Sequence, residues 1–222
     1  MNKKKKLFES LLFIGIIFFV IIFDQTVKWI VASNMHLYQE IEIIEGFFSI
    51  QYITNPGMFF SLFSGEGQRW VFMVISPIAL IAILVYLFAF CKDKLPMKIG
   101  LSFIFAGGFS NMIDRTFYGE KFFEGEVIDM FDFYGIWNAI FNVADAFVCM
   151  GAALVVCTLI YEIFTEKRDK RKNAEEKASE LNEKMAGNAY EVVTPSDDEI
   201  GEIKIPKRNE KLENAPDKEA KK

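Results

Sequence analysis

Histidine and cysteine are nearly missing from this chain: its 222 residues include one histidine, His36, and three cysteines, Cys91, Cys149 and Cys157. A zinc hydrolase needs a cluster of imidazole, thiolate or carboxylate ligands, and a Ser-His-Asp hydrolase needs its imidazole beside two partners. His36 stands in a segment that offers neither. The cysteines lie in or beside apolar runs at spacings that suit no disulfide framework and no zinc site. Basic residues are scarce in one long stretch: from Asn34 to Arg69 only Arg69 is basic, against Glu40, Glu42, Glu45 and Glu66. Charge of either sign is absent from Leu11 to Phe23 and from Ile78 to Phe90, which excludes an ordinary soluble domain.

What fills the chain instead is apolar. Hydrophobic residues make up 52% and phenylalanine alone occurs 24 times, so the chain is read as a membrane protein. A hydrocarbon core of roughly 30 Å takes about 20 residues of helix. Leu7 to Ala32, Trp70 to Phe90, Met97 to Ile113 with its continuation, and Trp137 to Phe164 meet that length, and four transmembrane helices are expected. A basic start followed by an apolar run is also the form of a secretory signal, but the run continues past Asp24 to Ile30 without a closing small-x-small site, so a permanent first helix is expected.

Lysine and arginine are enriched in cytoplasmic loops. Lys3 to Lys6, then Lys92, Lys94 and Lys98, then Lys167, Arg168, Lys170, Arg171 and Lys172 all fall on one side of a four-span chain. Both termini are therefore expected in the cytoplasm and the segment at about 34–69 outside. That outer segment alternates apolar and polar residues over Glu40 to Thr54, with a turn at Gly46, and predicts a small extracytoplasmic β lobe. Beyond Phe164 the composition turns to Lys, Glu, Asn and Ala; a helical extension is predicted from Glu166 to Met185, stopping at Gly187, and then disorder. The expected organisation is an all-α membrane domain over 1–166 with its β lobe, and a charged cytoplasmic tail over 167–222. Gly107-Gly108 and Gly151-Ala152-Ala153 predict close helix approach, and Pro77 a kink in the second helix.

Polar residues inside such spans are costly and mark function by default. Asp24 and Lys28 lie near the outer end of the first helix, Asn111, Asp114 and Arg115 near the outer end of the third, and Asn142 and Asp145 at the same level of the fourth. Three helices thus bring polar groups to one depth, and within each helix the spacing of three or four residues puts them on one face. Asp24 with Lys28 reads as a supporting ion pair. Asp145 has no neighbouring cation, so its partner must come from elsewhere, and the aromatic outer segment Val127 to Tyr134 supplies Asp129 or Asp132; spacing does not choose between them. Two close carboxylates share one proton and serve as base and acid around a water, which is aspartic-protease chemistry.

Five blocks in order now resemble the bacterial lipoprotein signal peptidases, the signal peptidase II family: Asp24-Gln25-Thr26-Val27-Lys28; Asn55-Pro56-Gly57 with Phe60-Ser61; Gly107 to Arg115; Val127-Ile128-Asp129 with Phe131-Asp132-Phe133; and Phe141-Asn142-Val143-Ala144-Asp145. The resemblance covers roughly residues 7–165. It implies an intramembrane aspartyl endopeptidase that cleaves diacylglyceryl-modified prolipoproteins on the N-terminal side of the lipidated cysteine, with Asp129 and Asp145 as the dyad. It further implies that Asn55, Gly57, Asn111, Arg115 and Asn142 bind substrate and that Asp24, Lys28 and Asp114 support the site. Met58 and Phe59 depart from the small residues expected after the Asn-x-Gly step and bear on the shape of the groove. No cofactor and no metal is called for; the expected partners are the prolipoprotein and membrane lipid, without nucleic acid, and a monomer is expected in the bacterial inner membrane with its site near the outer face. Two other classes compete: a small proton or ion transporter, which lacks a polar inner leg in these spans, and a non-enzymatic membrane adaptor working through its tail.

Overall fold

The computed structural model describes residues 3–56, 67–91, 94–120, 122–134, 139–185, 190–191 and 207–208. Its helices are α1 (Lys3–Asn34), α2 (Gly67–Val85, continued by a π-helical turn Tyr86–Phe90), α3 (Leu95–Phe117) and α4 (Val143–Met185). The strands are β1 (Glu40–Ile44), β2 (Phe48–Asn55), β3 (Val127–Phe133), β4 (Tyr190–Glu191) and β5 (Lys207–Arg208). The chain divides into two compact units, Met1–Thr158 and Leu159–Lys222. Among the described residues, two helices are long and apolar enough to cross a membrane, Leu7–Asn34 and Val143–Leu181, and Val74–Phe90 is a shorter apolar helix.

Within the first unit α1 is inside-out relative to a helix of a soluble protein. Phe13, Ile17, Val20, Asp24, Lys28 and Val31 recur at steps of three or four and are all buried, while Phe8, Leu12, Phe18, Phe19, Ile22 and Phe23 lie exposed on the other faces. A helix that turns Asp24 and Lys28 inward and four of its five phenylalanines outward is built for an apolar surrounding. The inward ridge packs on α3, whose buried positions pass from Met97, Leu101 and Ala106 to Ser110, Asn111 and Asp114 towards its C-terminal end. On the same helix Lys98 pairs with Glu9 of α1 at 3.2 Å. α2 continues through Pro77, and its departure from α geometry comes at Tyr86–Phe90.

Helix α3 meets α4 at small residues. A β-carbon on Gly100 would fall 2.8 Å from the carbonyl oxygen of Gly151, and one on Gly107 would strike the carbonyl oxygen of Ala144 and approach Val148 Cγ2 to 2.8 Å. Such backbone contact between helices needs residues without a side chain.

The lobe is a three-stranded antiparallel sheet in the order β1-β2-β3. The β1–β2 hairpin closes at Gly46, whose φ of 65° is easy for glycine and whose amide donates to Glu42 Oε1 at 2.6 Å. The outer segment Val127 to Tyr134, for which the sequence predicts no strand, supplies the third: Val127–Phe133 pairs with β2, Asp129 opposite Ile53 and Asp132 opposite Ser49, and this partner, over seventy residues away in sequence, leaves no local sign. A second correction concerns α4, which begins at Val143 and not at Trp137. Phe141 is tied to Phe131 by backbone bonds in both directions, 3.1 and 2.8 Å, so the chain stays extended until Asn142.

In the second unit α4 runs on to Met185, and Tyr190–Glu191 pairs antiparallel with Lys207–Arg208. The rest of the tail expected to be disordered lies outside the described residues, as do Gly57, Met58, Phe59, Phe60 and Ser61.

The glycine contacts give a test. Gly107→Ala meets backbone and is expected to destabilise the protein by about 1–3 kcal/mol, whereas Gly108→Ala meets the flexible end of Leu80 and is expected to lose less. Melting temperatures in one detergent compare the two; equal losses would mean that α3 and α4 do not touch at this level.

Candidate active site

Helix α1 delivers a cation into the bundle. Lys28 is 1% exposed, and its ammonium lies 2.7 Å from Asp24 Oδ2, 2.6 Å from Asp114 Oδ2 and 2.7 Å from Asn111 Oδ1. An ammonium has three protons, and three oxygens stand within 2.7 Å of this one, two as ion-pair partners and one, on Asn111, as a hydrogen-bond acceptor. Asp24 is used on both sides: Oδ2 also accepts from Ser110 Oγ at 2.7 Å, and Oδ1 accepts the backbone amide of Ala144 at 2.7 Å. Asp114 takes a further bond from Gln25 Nε2 at 2.6 Å, and that amide also reaches Ser110 Oγ at 3.1 Å.

Ala144 belongs to the first turn of α4, where backbone amides have no partner within the helix. Asp24 therefore caps α4 from another helix. Asn142, fully buried, is the cap on the chain itself: its Oδ1 accepts the amide of Asp145 at 3.0 Å, while Asp145 Oδ2 accepts the amide of Asn142 at 3.3 Å. This reciprocal pair is a capping box with Asn and Asp in the two roles. It fixes the Asp145 carboxylate at the positive end of the helix dipole. Asp145 Oδ1 takes a third bond, from Asn111 Nδ2 at 2.8 Å.

The second carboxylate arrives from the sheet. Asp129 on β3 is 2% exposed and accepts Asn142 Nδ2 on Oδ1 at 2.6 Å and Asn55 Nδ2 on Oδ2 at 3.0 Å. One side chain, Asn142, thus holds both acids, binding Asp129 through its nitrogen and the first turn carrying Asp145 through its oxygen. Burial pushes Asp129 up from the ordinary 3.8 to about 6, the neighbouring Asp145 charge adds to the rise, and the bonds from Asn55 and Asn142 oppose it. Asp145 is half-buried, less enclosed than Asp129.

Arg115 lies within electrostatic range of Asp145, Asp114 and Asp129. Its Nη1 reaches the carbonyl of Asn111 at 3.4 Å, and its buried Nε has no hydrogen-bond partner among the described residues. The guanidinium therefore retains an unused donor at Nε.

Of the residues singled out in the sequence, the structure brings together Asp129, Asp145, Asn55, Asn111 and Asn142, with Arg115 beside them and Asp24, Lys28 and Asp114 behind. Gly57 lies outside the described residues. Asp132, the other acid of the outer segment, stands opposite Ser49 in the sheet, three residues from Asp129 along a strand whose side chains alternate between faces. Ser110 and Gln25 were not anticipated. Ser110 had a signal, a hydroxyl four residues before Asp114 on one helical face; Gln25 had only its place beside Asp24.

Comparison with known proteins is consistent along most of the chain. Residues 16–161 match the sequence model of a family described as Signal peptidase (SPase) II. A protein named lipoprotein signal peptidase from Fusobacterium nucleatum is 36% identical over 157 residues, 69% of this chain and 88% of the relative. One of the same name from Staphylococcus aureus is 33% identical over 172 residues, 77% of this chain and 98% of the relative. A bacterial membrane enzyme solved by the in meso method at 2.3 Å resolution superposes with a TM-score of 0.60 at 32% identity, over 68% of this chain and 88% of its own. A second, at 1.9 Å, gives 0.58 at 34%, over 66% and 91%. With a family match that takes in all three polar helix clusters and both carboxylates, the chain belongs to the signal peptidase II family.

Proposed function

We propose that the protein is an intramembrane aspartyl endopeptidase that removes signal peptides from diacylglyceryl-modified prolipoproteins by cleaving on the N-terminal side of the lipidated cysteine. The observation that carries this reading is the pair of carboxylates, Asp129 and Asp145, held by one buried asparagine. Family membership and the names of the relatives support the substrate class.

Four spans with both termini in the bacterial cytoplasm suit the lysine and arginine distribution. In that topology the C-terminal ends of α1 and α3 and the N-terminal end of α4 lie at the outer face. A diacylglyceryl cysteine keeps its acyl chains in the bilayer and presents its peptide bond at that depth, so the acids meet the scissile bond without extracting the lipid. The membrane domain over 1–166 then carries the chemistry, and the tail over 167–222 is dispensable for it.

In the reaction, the ionised carboxylate takes a proton from water while the water oxygen bonds to the carbonyl carbon. The protonated partner and Arg115 donate to the oxygen that gains charge. Collapse of the tetrahedral species breaks the carbon–nitrogen bond, and a proton from the dyad leaves on the amine of the cysteine. Asn55, Asn111 and Asn142 hold the acids in register, and Gly57 with Asn55 flanks the substrate.

Incubating the purified protein with a diacylglyceryl prolipoprotein peptide and its unlipidated counterpart tests the assignment. Mass analysis should show cleavage just before the modified cysteine in the first peptide alone. Asp129→Asn and Asp145→Asn should each lower turnover by at least about 10²-fold; near-normal turnover by either removes the dyad. Deleting residues 173–222 should leave cleavage intact, whereas an adaptor working through its tail would lose its function.

Asp129 also predicts a pH effect on stability. It binds its proton more tightly folded than unfolded, so its contribution to stability is complete below 3.8 and is lost as pH rises to about 6. Asp129→Asn, which cannot ionise, should therefore melt higher than the parent at pH 7.5, by up to about 3 kcal/mol, and the difference should shrink towards pH 4. A constant offset at all pH values would contradict the raised affinity.

A further inference from the structure

Asp24 or Asp114 alone would balance the charge of Lys28, yet beyond both carboxylates its ammonium also donates to Asn111 Oδ1 at 2.7 Å. An amide side chain has one accepting end and one donating end. Asn111 Oδ1 is taken by Lys28 Nζ and by Asn142 Nδ2 at 3.2 Å, which leaves Nδ2 to face Asp145 Oδ1 at 2.8 Å. Turning that amide over would set an NH₂ group against an ammonium and a second NH₂, and an oxygen against a carboxylate. The buried cation therefore locks one orientation of Asn111, with the positive end of the amide aimed at Asp145.

The two acids differ in what surrounds them. Asp145 lies within electrostatic range of Lys28 and Asp24 from α1, Arg115 from α3 and Asp129 from β3, and it accepts the backbone amide of Asn142 just before its own helix. Asp129 sits on a strand, with no helix terminus of its own, and is held by Asn55 and Asn142.

We propose, given the dyad read above, that Lys28 is a positioning residue that acts through Asn111 to keep Asp145 the ionised member, the base, so that the proton resides on Asp129. Lys28 touches neither carboxylate of the dyad with a hydrogen bond; its effect travels through one amide.

The test is the pH profile of kcat/KM for the lipidated peptide. Lys28→Met alone strands two buried carboxylates, so it is combined with Asp114→Asn, which keeps the net charge of the Lys28, Asp24 and Asp114 group unchanged. In the folded double variant the acid limb of the profile should move to higher pH by about one unit, a tenfold change in proton affinity. Asp114→Asn alone, which retains Lys28 and removes a negative charge, should move the limb downward or leave it in place. An acid limb in K28M/D114N that overlays the parent's, whatever the height of the curve, overturns the proposal. If that variant does not fold, K28Q/D114N, which restores a donor to Asp24, takes its place with the same expectation. Failure of both to fold assigns Lys28 to folding alone and likewise overturns it. Loss of the dyad itself reads out separately: if Asp129→Asn or Asp145→Asn still turns over, the peptidase reading falls, whereas an unmoved limb with both Asn variants inactive removes only the role of Lys28.

Discussion

The ammonium of Lys28, sealed inside the helices with Asp24, Asp114 and Asn111 around it, is the interaction on which the rest of the site depends. An unpaired charge at such a position costs several kcal/mol even after relaxation, so α1 and α3 have one favourable register and it is the one that closes all these contacts. The cluster then reaches a third helix, since the Asp24 carboxylate that neutralises Lys28 also accepts the amide of Ala144 at the start of α4. Electrostatics, helix capping and packing are satisfied by the same few atoms.

Close packing makes that possible. The first turn of α4 approaches α3 at Gly107, where any side chain would strike the carbonyl of Ala144, and the two helices touch again at Gly100 and Gly151. These contacts bring Asn111 within hydrogen-bond reach of both Asp145 and Asn142. On the other side β3 must present Asp129, and its backbone is held by β2 and by the bridge between Phe131 and Phe141. A carboxylate on a strand and a carboxylate on a helix terminus meet at Asn142. Their environments differ, as the proposed division into an acid and a base requires.

Much of this architecture was legible along the chain. Apolar length identified the helices, and the steps of three and four identified the inward face of α1, because burial inside a membrane protein selects polar residues at the helical period just as a soluble core selects apolar ones. The β1–β2 hairpin was legible from its alternation and Gly46. The third strand was not, since Val127–Phe133 carries no local sign of a partner so distant in sequence. The start of α4 was misplaced for a related reason: Phe141 is as apolar as the helix that follows, and its bridge to Phe131 comes from a strand ten residues earlier, with no local sign.

Sequence by itself determined which residues were too polar for their surroundings, because the cost of placing them in hydrocarbon belongs to the residue and its neighbours along the helix. It left Asp129 and Asp132 equivalent, two acids three residues apart in one aromatic segment. Only the tertiary structure separated them: the register of β3 on β2 puts Asp129 against Asn55 and Asn142 and puts Asp132 opposite Ser49. Strand register is a contact between distant parts of a chain, and a displacement of one residue exchanges the faces, so no local pattern contains it.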